Sequence, residues 1–341
     1  MIKLGKKKGE EKKTEREKVE ERREEVLARG KKFKYPLQFA KHKLVAMTIV
    51  IAVVAVGVMG VIGWGMLFRA QNTGDVIYRI TRVVPVAVAE VDGEKVRYSD
   101  YLMIYRSSIE AVEQQSGQLM TANQQADETI DGVEMVKKEY RRAALTEAEE
   151  LTYARKLARE NGIEVTKEEI AEAFEKHRKV GGSERSEESF LKVIKDNFGL
   201  TRREYDRMLE MALIKEKVQI AIDTEANKIA EEVEKMLKQN GGDFGKIREA
   251  MGAKVVYEET GGLVDNKNID GGRADVAAKL APGEVSERFV SSNGDGYYSV
   301  KLIAKNETQV NYASIKVEFS EFQERFQKVE LEGGVKEYIE I

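Results

Sequence analysis

The chain has 341 residues with 57 Lys/Arg against 60 Asp/Glu, two histidines and no cysteine. The missing cysteines exclude disulfides, thiolate nucleophiles and Cys-ligated zinc, and neither His42 nor His177 stands in a sequence cluster of metal ligands. Charged residues at 34%, aromatics at 7% and only three prolines indicate a helix-rich, well-solvated protein rather than a β-sandwich, because proline interrupts helices.

Charge is divided unevenly along the chain. Residues 1–43 hold 16 Lys/Arg and 8 Asp/Glu, a net of +8, and the remaining 298 hold 41 and 52, a net of −11. Such a split places the two ends in different surroundings. The tail MIKLGKKKGEEKKTEREKVEERREEVLARGKKFKYP is poor in apolar residues and rich in both charges, which predicts disorder or a lone solvated helix. Its KKFK run adds attraction to anionic lipid, roughly 1 kcal/mol per basic residue near the surface. It lacks the aromatic-basic interleaving of a nucleic-acid contact, and no nucleic acid is expected as a partner.

Residues 44–68, LVAMTIVIAVVAVGVMGVIGWGMLF, run 25 positions without a charge. About 20 apolar residues suffice to cross a bilayer core as a helix, so a single transmembrane helix is expected here, with Trp64 and Phe68 as an interfacial anchor. A cleaved signal peptide fits poorly, since its charged and apolar regions would both be too long. Residues 29–43 carry six Lys/Arg and no acid, whereas residues 69–83 carry three Lys/Arg and Asp75. That asymmetry predicts a single-pass cell-membrane protein with a cytoplasmic N-terminus and an extracytoplasmic bulk. Gly57, Gly60 and Gly63 recur every third residue, which is not the dimerising GxxxG spacing.

After a tether over 69–84, the run VVPVAVAEVDGEKVRYSDYLMIYRSSI reads as a hairpin turning at Asp92-Gly93. Ser99 is placed to cap a helix carrying Tyr101, Leu102, Tyr105 and Ile109. QQSGQLMTANQQADETIDG reads as a loop or weak helix. A long amphipathic helix follows, with Val133, Val136, Tyr140, Ala144, Leu151, Ala154 and Leu157 near helical spacing and Gly162 as its stop. Thr166 with Glu169, and Thr201 with Glu204, form capping boxes for two further helices, separated by a break at Gly181-Gly182. His177, in the last turn of its helix, complements the dipole as a cation. Met208 and Met211, with Leu209, Leu213 and Ile214, are expected as core; the functional alternative is a methionine-lined groove for apolar client segments.

The order VAVAEVDGEKVRYSDY, LTYARKLARENGIEVTKEEIAEAF and FGLTRREYDRMLEMALIKEKV resembles the N-terminal chaperone domain of SurA/PrsA-type foldases, over about 85–222. Residues 226–304 resemble the parvulin-type peptidyl-prolyl isomerase domain that commonly follows. ANKIAEEVEKMLKQNGGDFGKIREAMG matches its helices, TGGLV its double-glycine loop, and LAPGEVSERFVSSNGDGYYSVKLI its ending. Pro282-Gly283 suits a type II turn and Asp295-Gly296 a second turn, after which Val285 can pair with the strand from Tyr297.

The resemblance also marks departures. Parvulins hold a prolyl ring beneath two histidines and a Cys or Asp. The second histidine corresponds here to Tyr298, the Cys/Asp site falls near Glu258 or Glu259, and the proline-gripping segment is shortened to NKNIDGGRADVAAKL. The first parvulin strand has no counterpart before residue 226. VNYASIKV, at 310–317, is similar to it, with Ser314 at the histidine position, and is expected to fill the missing slot. Tyr298, Glu258 and Glu259 are therefore the catalytic candidates of a shape not expected to catalyse efficiently, and Met208, Met211, Tyr257, Leu263 and Tyr298 are the candidate peptide contacts.

The expected fold is mainly α: a basic tail (1–43), a transmembrane helix (44–68), a helical SurA N-like chaperone domain (85–222) and a small α+β parvulin-like domain (223–341) whose end, SEFQERFQKVELEGGVKEYIEI, adds a helix and a final strand or tail. The implied function is a membrane-anchored chaperone or foldase for unfolded or secreted polypeptides, with the lipid bilayer and envelope or export machinery as further partners. Neither a cofactor nor a metal is expected. An active isomerase with a rewired site and an envelope scaffold are the alternatives. No phosphate-cradling GxxxxGK, HExxH or G-x-S-x-G occurs.

Overall fold

The computed structural model describes residues 14–120, 130–179, 185–268 and 270–341. The chain forms two compact units, residues 1–70 and 71–341. The described part of the first is one helix, α1 (Glu15–Trp64), opened by a Thr14/Glu17 capping box and continued by a π-helical turn, Gly65–Arg69. The tail is thus helical from Glu15, and residues 1–13 lie outside the described part. The stretch His42–Arg69 is, among the described residues, the one helix long and apolar enough to cross a membrane.

The second unit begins within the segment read as a tether, which carries a helix, α2 (Asp75–Val83). Strands β1 (Ala87–Val91) and β2 (Glu94–Arg97) form the expected hairpin. Both Asp92 and Gly93 have positive φ, +48° and +84°, as a two-residue turn matched to strand twist demands. Helix α3 (Tyr98–Met120) starts directly after β2, so Ser99 lies inside the first turn and does not cap it. The backbone passes from strand to helix in one step and leaves no free cap position. Helix α4 (Ile130–Glu160) follows; of the glutamine-rich stretch both ends are helical, and residues 121–129 lie outside the described part. Gly162, at φ +64°, ends α4 by letting Ile163 N–H donate to the Ala158 carbonyl at 2.8 Å.

Helices α5 (Lys167–Arg178) and α7 (Arg202–Ile222) open on the two expected capping boxes, and α6 (Glu187–Phe198) lies between them. The Gly181-Gly182 break falls outside the described residues. His177 is half-buried, with Nδ1 2.7 Å from the Tyr205 hydroxyl, and burial lowers its pKa. It is a hydrogen-bonded ring of an aromatic cluster with Phe174, Phe190 and Tyr205, not a solvated helix-end cation.

Helices α8 (Thr224–Gln239) and α9 (Phe244–Met251) then cover one face of an antiparallel sheet. Its strands are β3 (Val256–Glu259), β4 (Val264–Asp265), β5 (Phe289–Val290), β6 (Gly296–Lys305) and β7 (Gln309–Glu318). Their order is β3-β7-β6-β5, with β4 also on β7. Ile315, Val317 and Tyr297 point into the α8/α9 side. Val300, Leu302, Val310 and Tyr312 point the other way, under α10 (Arg273–Lys279). The Pro282-Gly283 turn closes with Glu284 N–H on the Ala281 carbonyl at 2.9 Å, and Val285 bridges to Lys301. Gly296 has no substitute, since a Cβ there would stand 2.3 Å from the Val317 carbonyl oxygen.

The chain then returns to its helical part. Helix α11 (Glu321–Leu331) buries Phe322 and Phe326, each with its ring centroid 5.8 Å from that of Tyr153 on α4. Each buried phenyl contributes roughly 2–3 kcal/mol relative to exposure. Strand β8 (Val335–Glu337) adds to β1, completing a sheet of order β2-β1-β8. The helical part is therefore built from both sides of the α+β segment.

Candidate functional site

Helix α2 has two unlike faces. Ile77, Tyr78 and Thr81 are buried against the helical part, and a cleft of about 300 Å³ opens beside them. Tyr78, Met103, Tyr105, Ile109, Phe198 and Leu200 supply its apolar lining, with Asp75, Arg106 and Glu204 at polar positions. A second cleft of about 330 Å³ shares Tyr78, Met103 and Glu204 with the first and adds Arg82, Asp100 and Arg207. Phe198 stays 38% exposed because Gly199, in the left-handed region at φ +65°, turns the chain immediately after it.

Two buried carboxylates organise the cleft floor. Glu204 closes its capping box with Thr201 and also accepts from the Tyr78 hydroxyl at 2.7 Å and Arg82 Nη1 at 2.9 Å. Burial would raise this carboxyl, but the bonds from Thr201 and Tyr78 and the Arg82 charge outweigh it and hold the pKa below the usual range. Asp100 accepts two hydrogen bonds from Arg207, at 3.0 and 2.8 Å, and one from Arg155 at 3.2 Å. The Arg106 guanidinium lies 5.0 Å above the Tyr78 ring. An apolar wall beside fixed charges suits an extended polypeptide, whose side chains need the wall and whose backbone needs the polar rim.

The sheet carries a second cluster, on the face under α10. The pairs Tyr298–Lys316 and Val300–Ser314 set Tyr298 and buried Ser314 diagonally on adjacent strands. The Tyr298 hydroxyl donates to Asp295 Oδ2 at 2.9 Å, and Lys316 Nζ lies 2.9 Å from the same oxygen. Burial and the bond to Asp295 push the Tyr298 pKa up to about 12. Arg273 stands 5.2 Å over the Tyr298 ring and pairs with Glu258. The two histidines of the chain lie on α1 and α5, so no imidazole stands on this face. The Tyr298 hydroxyl, the candidate donor to a twisted imide, is already committed to Asp295.

The sequence profile of the SurA-like N-terminal domain matches residues 37–219. The chain belongs to this family. No curated protein and no solved structure matches. The SurA-like span runs from within α1 to near the end of α7 and contains every lining residue of both clefts.

The candidate residues do not gather at one place. Met208 and Met211 lie on α7 of the SurA-like span, half-buried and buried respectively, and neither lines a cleft. Tyr257 and Tyr298 occupy opposite faces of the sheet, because Tyr257 pairs with Ile315 and Tyr298 with Lys316. Leu263 is exposed before β4. Glu258 shares the Tyr298 face through Arg273, whereas Glu259 accepts from Tyr257 on the other. Sequence reasoning missed Tyr78 because α2 was read as tether. It missed Lys316 and Asp295 because their place beside Tyr298 follows from the β6–β7 register.

Proposed function

We propose that this is a membrane-anchored, chaperone-like protein that binds unfolded or newly exported polypeptides on the extracytoplasmic side. The cleft around Tyr78, Met103 and Phe198 carries the reading, as an open cleft with an apolar wall and a charged rim within the SurA-like span. Anchoring is supported by residues 44–62, apolar on all sides and exposed. A helix hydrophobic all round belongs in a protein core or a membrane, and this one is not in a core. The basic flank at residues 29–43 supports a cytoplasmic N-terminus.

Residues 223–318, the part of the expected 223–341 segment that precedes α11, are read as a degenerate parvulin-like domain within the SurA-like frame. Support comes from the antiparallel order β3-β7-β6-β5, in which β7 lies between β3 and β6, a position compatible with its filling the slot of the missing first strand. Ser314 and Tyr298 stand diagonally at the two positions where histidines would be expected. The domain is a binding surface rather than a catalyst. The opposing reading, an isomerase with a rewired site, is favoured by the polar cluster of Tyr298, Asp295, Lys316, Arg273 and Glu258.

The test uses the full chain in lipid nanodiscs, scored on one preparation for suppression of client aggregation and for cis/trans isomerisation of a proline-containing peptide. Suppression with isomerisation at background supports the proposal. Isomerisation well above background that falls with Tyr298→Phe assigns the enzymatic reading, and absence of both activities moves the weight to an envelope scaffold.

A further inference from the structure

The outward face of α2 is unpartnered and apolar. Val76 is 70% exposed, Ile80 47% and Val83 83%, while Ile77, Tyr78 and Thr81, on the opposite side, are buried. At 100° per residue, Val76, Ile80 and Val83 share one arc of the helix, and exposed Arg79 lies at its border. Val84, 50% exposed, continues the patch past the helix end. A helix apolar on both sides, in a protein that has room to turn only one of them inward, requires a second covering for the other.

Chain length identifies that covering. Six residues, 69–74, separate the last position of the charge-free run from the start of α2. Even fully extended, they span at most about 25 Å, and Gln71 is already tied to the second unit by donating its side-chain amide to the Glu340 carbonyl. If residues 44–68 span the bilayer, α2 is held within reach of the headgroup layer, which adds only several ångströms to each side of the hydrocarbon core. Arg69 and Arg79 are suited to anionic headgroups, and valine and isoleucine to the acyl boundary beneath. A diffusing partner would have to find this face in competition with a lipid surface that is always adjacent to it.

We propose that α2 is an interfacial helix whose Val76, Ile80 and Val83 face lies on the outer lipid surface, so that its opposite face holds the Tyr78 cleft against the membrane plane. The proposal rests on the anchored reading above. It gives α2 two roles at once: Tyr78 shapes the client cleft inward, and the valine-isoleucine face sets the distance of that cleft from the bilayer.

The absence of native cysteine allows single environment-sensitive labels in the full chain. The chain is reconstituted into vesicles of phosphatidylcholine and phosphatidylglycerol containing nitroxide lipids, placed either at headgroup depth or deep in the acyl chains. Labels are carried on Met59→Cys in the proposed span, on Ile80→Cys and Val83→Cys in α2, and on Glu249→Cys at the exposed surface of α9. The expected result is strong deep quenching at 59, severalfold stronger shallow quenching at 80 and 83 than at 249, and a blue shift at 80 and 83. Quenching at 59 with 80 and 83 indistinguishable from 249 overturns this proposal and leaves the anchor standing. No quenching at 59 overturns the anchor and this proposal with it. Dipolar broadening between spin labels at position 80 assigns the face to a second copy, and a response at 80 only on adding an unfolded client assigns it to clients; either result overturns the lipid assignment.

Discussion

The Asp223 carboxylate accepts the backbone N–H of Ser320 at 2.8 Å across 97 positions of sequence. Its Oδ2 also receives Glu321 N–H at 3.2 Å, and its Oδ1 caps α8 through Ala226 N–H at 2.9 Å. One buried side chain thus fixes the start of α8 and the start of α11, the two points where the chain leaves and re-enters its helical part.

Removing that carboxylate strands three donors at once, the buried Ala226 N–H and the part-buried N–H groups of Ser320 and Glu321. Losing an N-cap costs about 1 kcal/mol, and an orphaned buried donor costs about 1–3 kcal/mol. Asp223→Ala is therefore expected to lower stability by about 3 kcal/mol, read as a shift of the urea midpoint of the full chain in micelles. Asp223→Asn rescues little, since its amide nitrogen must face one of the N–H groups. A loss under about 1 kcal/mol in the alanine variant, less than a single orphaned donor costs, would show that water replaces the carboxylate.

Glu204 predicts an acid-side dependence. Its folded pKa is depressed, so its contribution is fully present above the unfolded carboxyl value of about 4.3 and is lost as pH falls through the folded value. Glu204→Gln is expected to cost about 2 kcal/mol at neutral pH, as loss of charged hydrogen bonds in a buried network does. The gap between the two proteins should then close as pH drops below about 4. A gap independent of pH would assign the effect to packing rather than to charge.

The local signals were legible in the residues themselves. Asp92-Gly93, the boxes at Thr166/Glu169 and Thr201/Glu204, and Pro282-Gly283 each specify a turn or cap within four positions, and each is found where it was read. What was not legible depends on partners distant in sequence. Nothing around Val335 indicates that it joins Val91, and nothing in the 69–84 segment indicates that Tyr78 meets Glu204. Tyr298 was identified by likeness, but its tie to Asp295 and Lys316 removes the freedom that likeness implied. Long-range register, not local propensity, decides the chemistry of that face.

Glu149 on α4 predicts the opposite dependence on pH. Its carboxyl is buried with Oε1 unpartnered, and burial, followed by repulsion from Glu337, raises its pKa to about 8. A raised folded pKa gives a contribution fully present below about 4.3 and lost as pH rises through the folded value. Ionised Glu149 would sit beside the segment that carries β8, so the closing strand bears the cost. Glu149→Gln copies the protonated form and is expected to be increasingly more stable than the parent between about pH 5 and pH 8. Equal midpoints across that range would place Glu149 in a solvated setting.

The two clusters separate in a client-capture assay. Phe198 presents its ring to the cleft and is partly exposed, so Phe198→Ser removes apolar contact area with little loss of packing. Truncating a central aromatic contact in a binding surface costs about 2 kcal/mol, which corresponds to roughly thirtyfold in affinity. Tyr298→Phe keeps the ring stack with Phe289 at 6.1 Å and deletes only the bond to Asp295, for about 1 kcal/mol of stability. The expected pattern is weakened capture with Phe198→Ser and unchanged capture with Tyr298→Phe, both measured as binding of a labelled unfolded client to the full chain. The reverse pattern would move client binding from the SurA-like cleft to the sheet face, where Arg273 and Lys316 flank Tyr298 and would then select clients bearing acidic residues near their apolar segments.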